Sequence, residues 1–175
     1  MKEWSVQENV KLRLVDPSDA ENLYEQIEKT RLQLAKFMPW GDATRSVEDE
    51  REFLRYCQKR IEDQKLWNAS IIIDGKAVGM IDLHNIDRDN QHAEVGYWLG
   101  GDYQGNGVMT ACLKKLLSIG FDELGLHKIK LLAEHVNVAS NAVAKKVGFV
   151  LEGQLKDEIY SDGKFHNADL YAIVE

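Results

Sequence analysis

Residues 66–117 constrain the fold more than any other part of the chain. Two β-rich runs, LWNASIII and AVGMIDLH, are separated only by Asp74-Gly75-Lys76, and an Asp-Gly step between such runs is a strong hairpin signal. A DRDN turn leads to a third run, AEVGYWL, which breaks into GGDYQGNG and then directly into the helical VMTACLKKLL. An antiparallel meander that feeds a helix through a glycine-rich turn presents several backbone N–H groups at a helix N-terminus, where an anion can sit.

The flanking segments extend this pattern. VKLRLV (Val10–Val15) alternates as a strand, and Asp16 and Pro17 then open a helix that keeps Ala20, Leu23, Tyr24 and Ile27 at helical spacing. Pro39 interrupts RLQLAKFMPW, and a second helix begins near Ser46, where SVED reads as a capping box. After the third β run comes a helix from about Met109 to Glu123, a strand KIKLLAEH, and a short helix SNAVAKKVGF closed by Gly148. FVLEGQLKDEIY and HNADLYAIVE, joined by an Asp162-Gly163 turn, form an antiparallel pair. The order β-α-α-β-β-β-α-β-α-β-β predicts an α/β or α+β fold with a mixed sheet. With no linker, repeat or low-complexity tract, residues 1–175 are expected to form one domain.

The chain carries 29 acidic and 22 basic residues, a net charge of -7. That disfavours a duplex nucleic-acid binder, which needs a cationic face, and favours a cationic partner such as a polyamine or a basic polypeptide. No run approaches a membrane span, MKEWSVQENVKLRL has no leader pattern, and Cys57 and Cys112 show no paired spacing. A reduced, cytoplasmic protein is expected, with no membrane contact; self-association is left open. The five histidines show no ligand spacing, so no metal site is expected.

GNGVMT is near the dinucleotide fingerprint, but it follows a meander instead of opening a βαβ unit. A phosphate loop of the Walker type fails as well, since no Lys-Ser/Thr follows the glycines. Gln104–Met109 resembles the Q/R-x-x-G-x-G/A motif of the GNAT N-acetyltransferases, with Met109 in place of the final small residue. RLQLAKFMPW, AEVGYWL, YQGNGVMTACL, NVASNAVAKKVGF and DGKFHNADLYAIV are similar to the RimJ/RimL branch, which acetylates N-terminal amines, notably of ribosomal proteins. The resemblance spans nearly the whole chain. It implies the GNAT fold, a mostly antiparallel mixed sheet with a splayed central strand pair flanked by helices, and acetyl-CoA as donor without a metal. Its pyrophosphate would lie on backbone N–H groups of Gln104, Gly105, Asn106, Gly107, Val108, Met109 and Thr110. The pantetheine arm would pair with the strand carrying Tyr97, Trp98 and Leu99, and Asn137 would hydrogen-bond that arm; Asn137 also reads as a helix cap.

Amine acetylation needs a neutral amine, a polarised thioester and a stabilised leaving thiolate. An α-amino group titrates near 7.7–8.0, so a modest base suffices. The resemblance implies Glu94 as that base, with a solvated strand glutamate or a partner for His92 as the alternatives. Asp82 and His84 share one strand face, and His84 is the second candidate base and a candidate contact to the acceptor. A helix tyrosine that serves many GNATs as acid is replaced by Ala144, which leaves the Ser140 hydroxyl for the sulfur or for a helix cap. Cys112, between Ala111 and Leu113, reads as core and not as an acyl carrier. Arg31, Phe37 and Trp40 are candidate walls of the acceptor groove. The leading reading is a protein N-terminal acetyltransferase; a small-amine acetyltransferase and a degenerate acyl-CoA-binding module remain as alternatives.

Overall fold

The computed structural model describes residues 1–175. In chain order it contains β1 (Glu3–Gln7), β2 (Val10–Leu14), α1 (Ala20–Phe37), α2 (Val47–Glu62), β3 (Trp67–Ile73), β4 (Lys76–Asp87), β5 (His92–Leu99), α3 (Val108–Ser118), β6 (Lys128–Glu134), α4 (Val138–Val147), β7 (Val150–Ser161) and β8 (Lys164–Val174). The strands form one sheet in the order β1-β2-β3-β4-β5-β6-β8-β7. Every neighbouring pair is antiparallel except β5 and β6.

Local sequence explains the punctuation. Asp74 and Gly75 both take positive φ, as do Asp162 and Gly163, which is what a two-residue hairpin with right-twisted strands requires. Asp16 caps a short 3-10 turn, Pro17–Asp19, so α1 itself begins at Ala20. Ser46 caps α2 by accepting from the Asp49 N–H at 3.0 Å, while the Asp49 carboxylate accepts from Arg45 N–H at 2.9 Å. The third helix is shorter than its periodicity implies. It is α-helical to Ser118 and closes in one wider π-turn over Ile119–Glu123. The expected strand order lacked β1, whose EWSVQ alternates between exposed and half-buried positions.

Helices cover both faces of the sheet. One core joins Leu12, Ile81, Leu83, Val95 and Ile129 to Cys112, Leu113 and Leu116 of α3 and Ala144 of α4. The other joins Ile72, Met80 and Trp98 to Leu23 and Ile27 of α1 and Leu54 and Cys57 of α2. Burying one such Leu or Ile side chain contributes about 1.5–3 kcal/mol. In β5 the division is strictly alternate: Ala93, Val95, Tyr97 and Leu99 pack toward α3 and α4, and Trp98 packs toward α1 and α2. The same period puts Glu94 and Gly96 on the side of Trp98. A one-residue slip would exchange Glu94 with Val95, so burial fixes this register.

Candidate active site

The sheet opens at its centre. β5 and β6 pair only from His92↔Lys128 to Val95↔Leu131. Beyond that point β5 keeps its bonds to β4 as far as Leu99, and β6 keeps its bonds to β8 as far as Glu134. Two well-formed strands therefore face each other across a gap with no ladder between them. Their unpaired backbone groups can bind an extended, amide-bearing chain as an added strand would be bound. The opening needs no bulge in β5, whose register against β4 is regular from Glu94 to Leu99, with Gly96 opposite Asp82. The irregularity in β4 and β5 lies between His84 and Asp87.

The mouth of this gap leads to the glycine-rich turn. Gln104–Gly107 is exposed, and Gly105 and Gly107 have φ of 81° and 77°, a region that side chains with a Cβ adopt at a cost. Gly107 caps α3 without any side-chain acceptor, so the first-turn N–H groups of Val108, Met109 and Thr110 stay open at the positive end of the helix. Val108 is buried in the core and anchors that turn. The Gln104 side chain folds back, its amide donating to the Leu99 carbonyl at 2.8 Å, and so ties the turn to the end of β5. The donor set of open N–H groups at one end and free strand edges at the other fits a phosphate joined to an amide-containing arm.

On the α3/α4 side of the gap, Asn137 is the cap of α4, accepting from the Ser140 N–H at 3.2 Å. Ser140 is therefore released from capping, and its Oγ lies 2.7 Å from the Tyr97 hydroxyl. Burial pushes the Tyr97 phenol above its ordinary value. Asn141 holds the start of α4 in place: its amide donates to the carbonyls of Glu134 (3.1 Å) and Asn137 (2.8 Å), and it accepts from the Tyr171 hydroxyl at 2.7 Å. Ala144 is wholly buried. Cys112 is too, and burial pushes its thiol up to about 12, which suits a core residue and not a nucleophile.

On the opposite face, β4 and β5 assemble Asp82, His84 and Glu94. His84 Nδ1 donates to Asp82 Oδ1 at 2.6 Å, while its Nε2 is 3.7 Å from Glu94 Oε1, an ion-pair distance and not a hydrogen bond. The Asp82 carboxylate, and after it Glu94, pushes the His84 imidazole up to about 9. His84 chiefly holds Glu94 below its ordinary value, against the opposing effect of burial. Near neutral pH the ring is thus an imidazolium between two carboxylates. Asn85, at φ 49° beside the irregularity, donates to Glu94 Oε2 at 3.3 Å. Gly96 makes this cluster fit, since a Cβ there would meet Asp82 Oδ2 at 2.7 Å.

The remaining candidates lie at the α1–α2 connection. Trp40 is half-buried with its ring 5.8 Å from that of Trp98, whose side chain is core. Phe37 ends α1 with the Lys36 ammonium 5.2 Å from its ring. Arg31 is committed to the fold of this connection. Its guanidinium binds the carbonyls of Gly41 and Thr44 and the Glu28 carboxylate, so it holds the loop that carries Trp40.

The acetyltransferase (GNAT) domain model matches residues 9–150. The chain belongs to the GNAT acetyltransferase family. It is 33% identical over 171 residues to YdaF of Bacillus subtilis, provisionally named a ribosomal N-acetyltransferase, covering 97% of this chain and 93% of that one. The solved ribosomal alpha-N-protein acetyltransferase RimL, in complex with coenzyme A, superposes with a TM-score of 0.93 at 26% identity over 99% of this chain and 98% of its own. Spermidine N(1)-acetyltransferase of Escherichia coli is 31% identical over 110 residues, 63% of this chain and 59% of that one. The fold is the expected one, including the splayed central pair. No helix is long and apolar enough to cross a membrane.

Sequence reasoning missed Asn85, Asn141 and the partnership of Tyr97 with Ser140. The DRDN turn by itself would set Asn85 opposite Glu94; the irregularity between His84 and Asp87 moves His84 there instead, and no local pattern announces it. Nothing local announces that Tyr97 meets Ser140, 43 residues on.

Proposed function

We propose that residues 1–175 act as one catalytic unit that transfers an acetyl group from acetyl-CoA to the N-terminal α-amine of a basic protein, with ribosomal proteins as the favoured class. The observation that carries this reading is the parting of β5 and β6 after Val95 and Leu131, directly beside an uncapped helix N-terminus. The likeness to RimL over almost the full length of both chains supports the acceptor class.

Acetyl-CoA supplies the acetyl group as an activated thioester. The first-turn N–H groups of α3 and the Gln104–Gly107 turn hold the pyrophosphate. The free edge of Tyr97–Leu99 pairs with the pantetheine arm, and backbone N–H groups there polarise the thioester carbonyl. Glu94 stays anionic and draws the ammonium form of the acceptor to the face opposite α3 and α4. Its depressed pKa makes it a weak base toward a free ammonium, so the α-amine, which titrates near 7.7–8.0, gives its first proton to water and attacks the thioester carbon in its neutral form. A nitrogen that has bonded to an acyl carbon is a far stronger acid, so Glu94 can take that proton, directly or through water. His84, already protonated, fixes the carboxylate and is not the resting base. The Ser140 hydroxyl donates a hydrogen bond to the departing sulfur. Trp40 and Phe37 flank the acceptor, on a loop that Arg31 holds.

The test is an acceptor panel with acetyl-CoA: peptides with free N-termini, N-blocked lysine peptides, and spermidine. Free thiol is followed by absorbance and products by mass spectrometry. The expected product carries acetyl on its first residue. Efficient acetylation of spermidine, with none on peptide N-termini, overturns the acceptor assignment.

A further inference from the structure

We propose that Tyr97 is a positioning residue of the transfer: its hydroxyl orients the Ser140 hydroxyl toward the departing sulfur and supplies a second hydrogen bond behind it. This rests on the reading of Ser140 given above. Three observations carry it. The two oxygens are 2.7 Å apart and partly buried. Ser140 Oγ has no other protein partner, because Asn137 performs the capping. Both ends are fixed, Tyr97 by its place opposite Ile81 in the ladder and Ser140 by the anchoring of α4 through Asn141.

The direction of the bond follows from its surroundings. A serine hydroxyl has one proton and two lone pairs. If Ser140 donated to Tyr97, it would have no proton left for an anion in the gap. If Tyr97 donates, the Ser140 proton is free to point outward. Burial disfavours the phenolate and keeps the Tyr97 proton in place. Tyr97 also lies two residues beyond Val95, the last β5 residue paired with β6, at the point where the gap opens. Successive hydrogen bonds polarise one another in a water-poor site, so the pair is a better donor than a lone serine.

No proton leaves Tyr97. A thiol titrates near 8.5 and a tyrosine near 10, so complete transfer to the thiolate would run uphill. The carbon–sulfur bond breaks, its electron pair stays on sulfur, and the two hydroxyls share that charge until water protonates the thiolate. This is stabilisation of charge that develops during transfer.

The experiment compares wild type, Ser140→Ala, Tyr97→Phe and the double variant. Tyr97→Phe keeps the ring and its packing and removes only the hydroxyl. Coenzyme A is the probe for one readout: the pKa of its thiol when bound, followed by thiolate absorbance, rises in both single variants and no further in the double. The second readout is steady-state kinetics with an N-terminal peptide. Each single variant lowers kcat roughly tenfold, as expected for one lost hydrogen bond to a developing charge, with KM for acetyl-CoA unchanged. The double variant is no slower than Ser140→Ala. Slow Ser140→Ala with unaltered Tyr97→Phe overturns the role of Tyr97 alone. Unaltered kcat and thiol pKa in Ser140→Ala overturn both it and the role assigned to Ser140. Tyr97→Phe that lowers only the melting temperature also refutes the proposal, since it shows a structural bond.

Discussion

Replacing Asp82 by Asn isolates the charge that holds His84. The asparagine carbonyl can still accept from His84 Nδ1, so the variant removes the negative charge and little volume. In the folded protein the ring titrates at about 9, against about 6.5 in an unfolded chain. The folded state therefore binds this proton more tightly, and its contribution is fully present below about pH 6.5. It fades as pH rises through about 9. At about 1.4 kcal/mol per pH unit that interval is worth about 3 kcal/mol. The His84 side chain is 35% exposed, and solvent screening cuts the figure to about 1–2 kcal/mol. Asp82 is the larger cause of the shift and Glu94 the smaller, so more than half should vanish in the variant. The assay is urea unfolding at intervals from about pH 6 to about pH 10 for both proteins, paired with an NMR titration of the His84 ring. Wild type should lose stability over that range more steeply than Asp82→Asn, whose ring should titrate closer to 6.5. Parallel stability curves and an unmoved His84 titration would refute the reasoning.

Two further substitutions test the donor and proton-transfer assignments. Gly107→Val has free space around the new side chain but must hold φ near 77°, so the turn relaxes at a cost of about 1–2 kcal/mol; acetyl-CoA should raise the melting temperature of wild type and not of this variant, and equal shifts would sink the phosphate-turn assignment. Glu94→Gln should lower kcat by roughly a hundredfold while leaving acetyl-CoA affinity, read by calorimetry, unchanged; a variant with normal kcat would assign the proton to water alone.

The order of elements and the glycine-rich turn were legible because their signals are local. Asp74-Gly75 and Asp162-Gly163 encode two hairpins within two residues each, and Gly105 and Gly107 mark positions where positive φ is needed. β1 was overlooked because EWSVQ is short and its Trp4 and Val6 are only partly covered by the sheet. Arg31 shows the other limit. Its sequence position fits a groove residue, yet the carbonyls that occupy its guanidinium lie 10 and 13 residues further on. Asn137 and Ser140 could each have capped α4 by sequence, and only the backbone geometry decides that Asn137 does.

In the proposed transfer, the alternation of β5 lets a single strand serve the amine and the leaving sulfur without interference. Glu94 and Gly96 face α1 and α2, where Asp82 and His84 complete a cluster with two negative charges and one positive. Tyr97 faces α3 and α4, where a neutral hydroxyl pair meets the edge of the gap. An anionic cluster beside the sulfur would oppose thiolate formation, and a neutral pair beside the amine would leave its proton without an acceptor. The sheet separates the two environments by the thickness of one pleat, and the gap after Val95 is the one place where both faces of β5 adjoin the same opening. In that proposal the net charge of the Asp82–His84–Glu94 cluster attracts a cation before reaction, and it is reduced once Glu94 has taken the proton and a neutral amide has formed. Product release is then favoured by the same electrostatics that favour binding of the protonated amine.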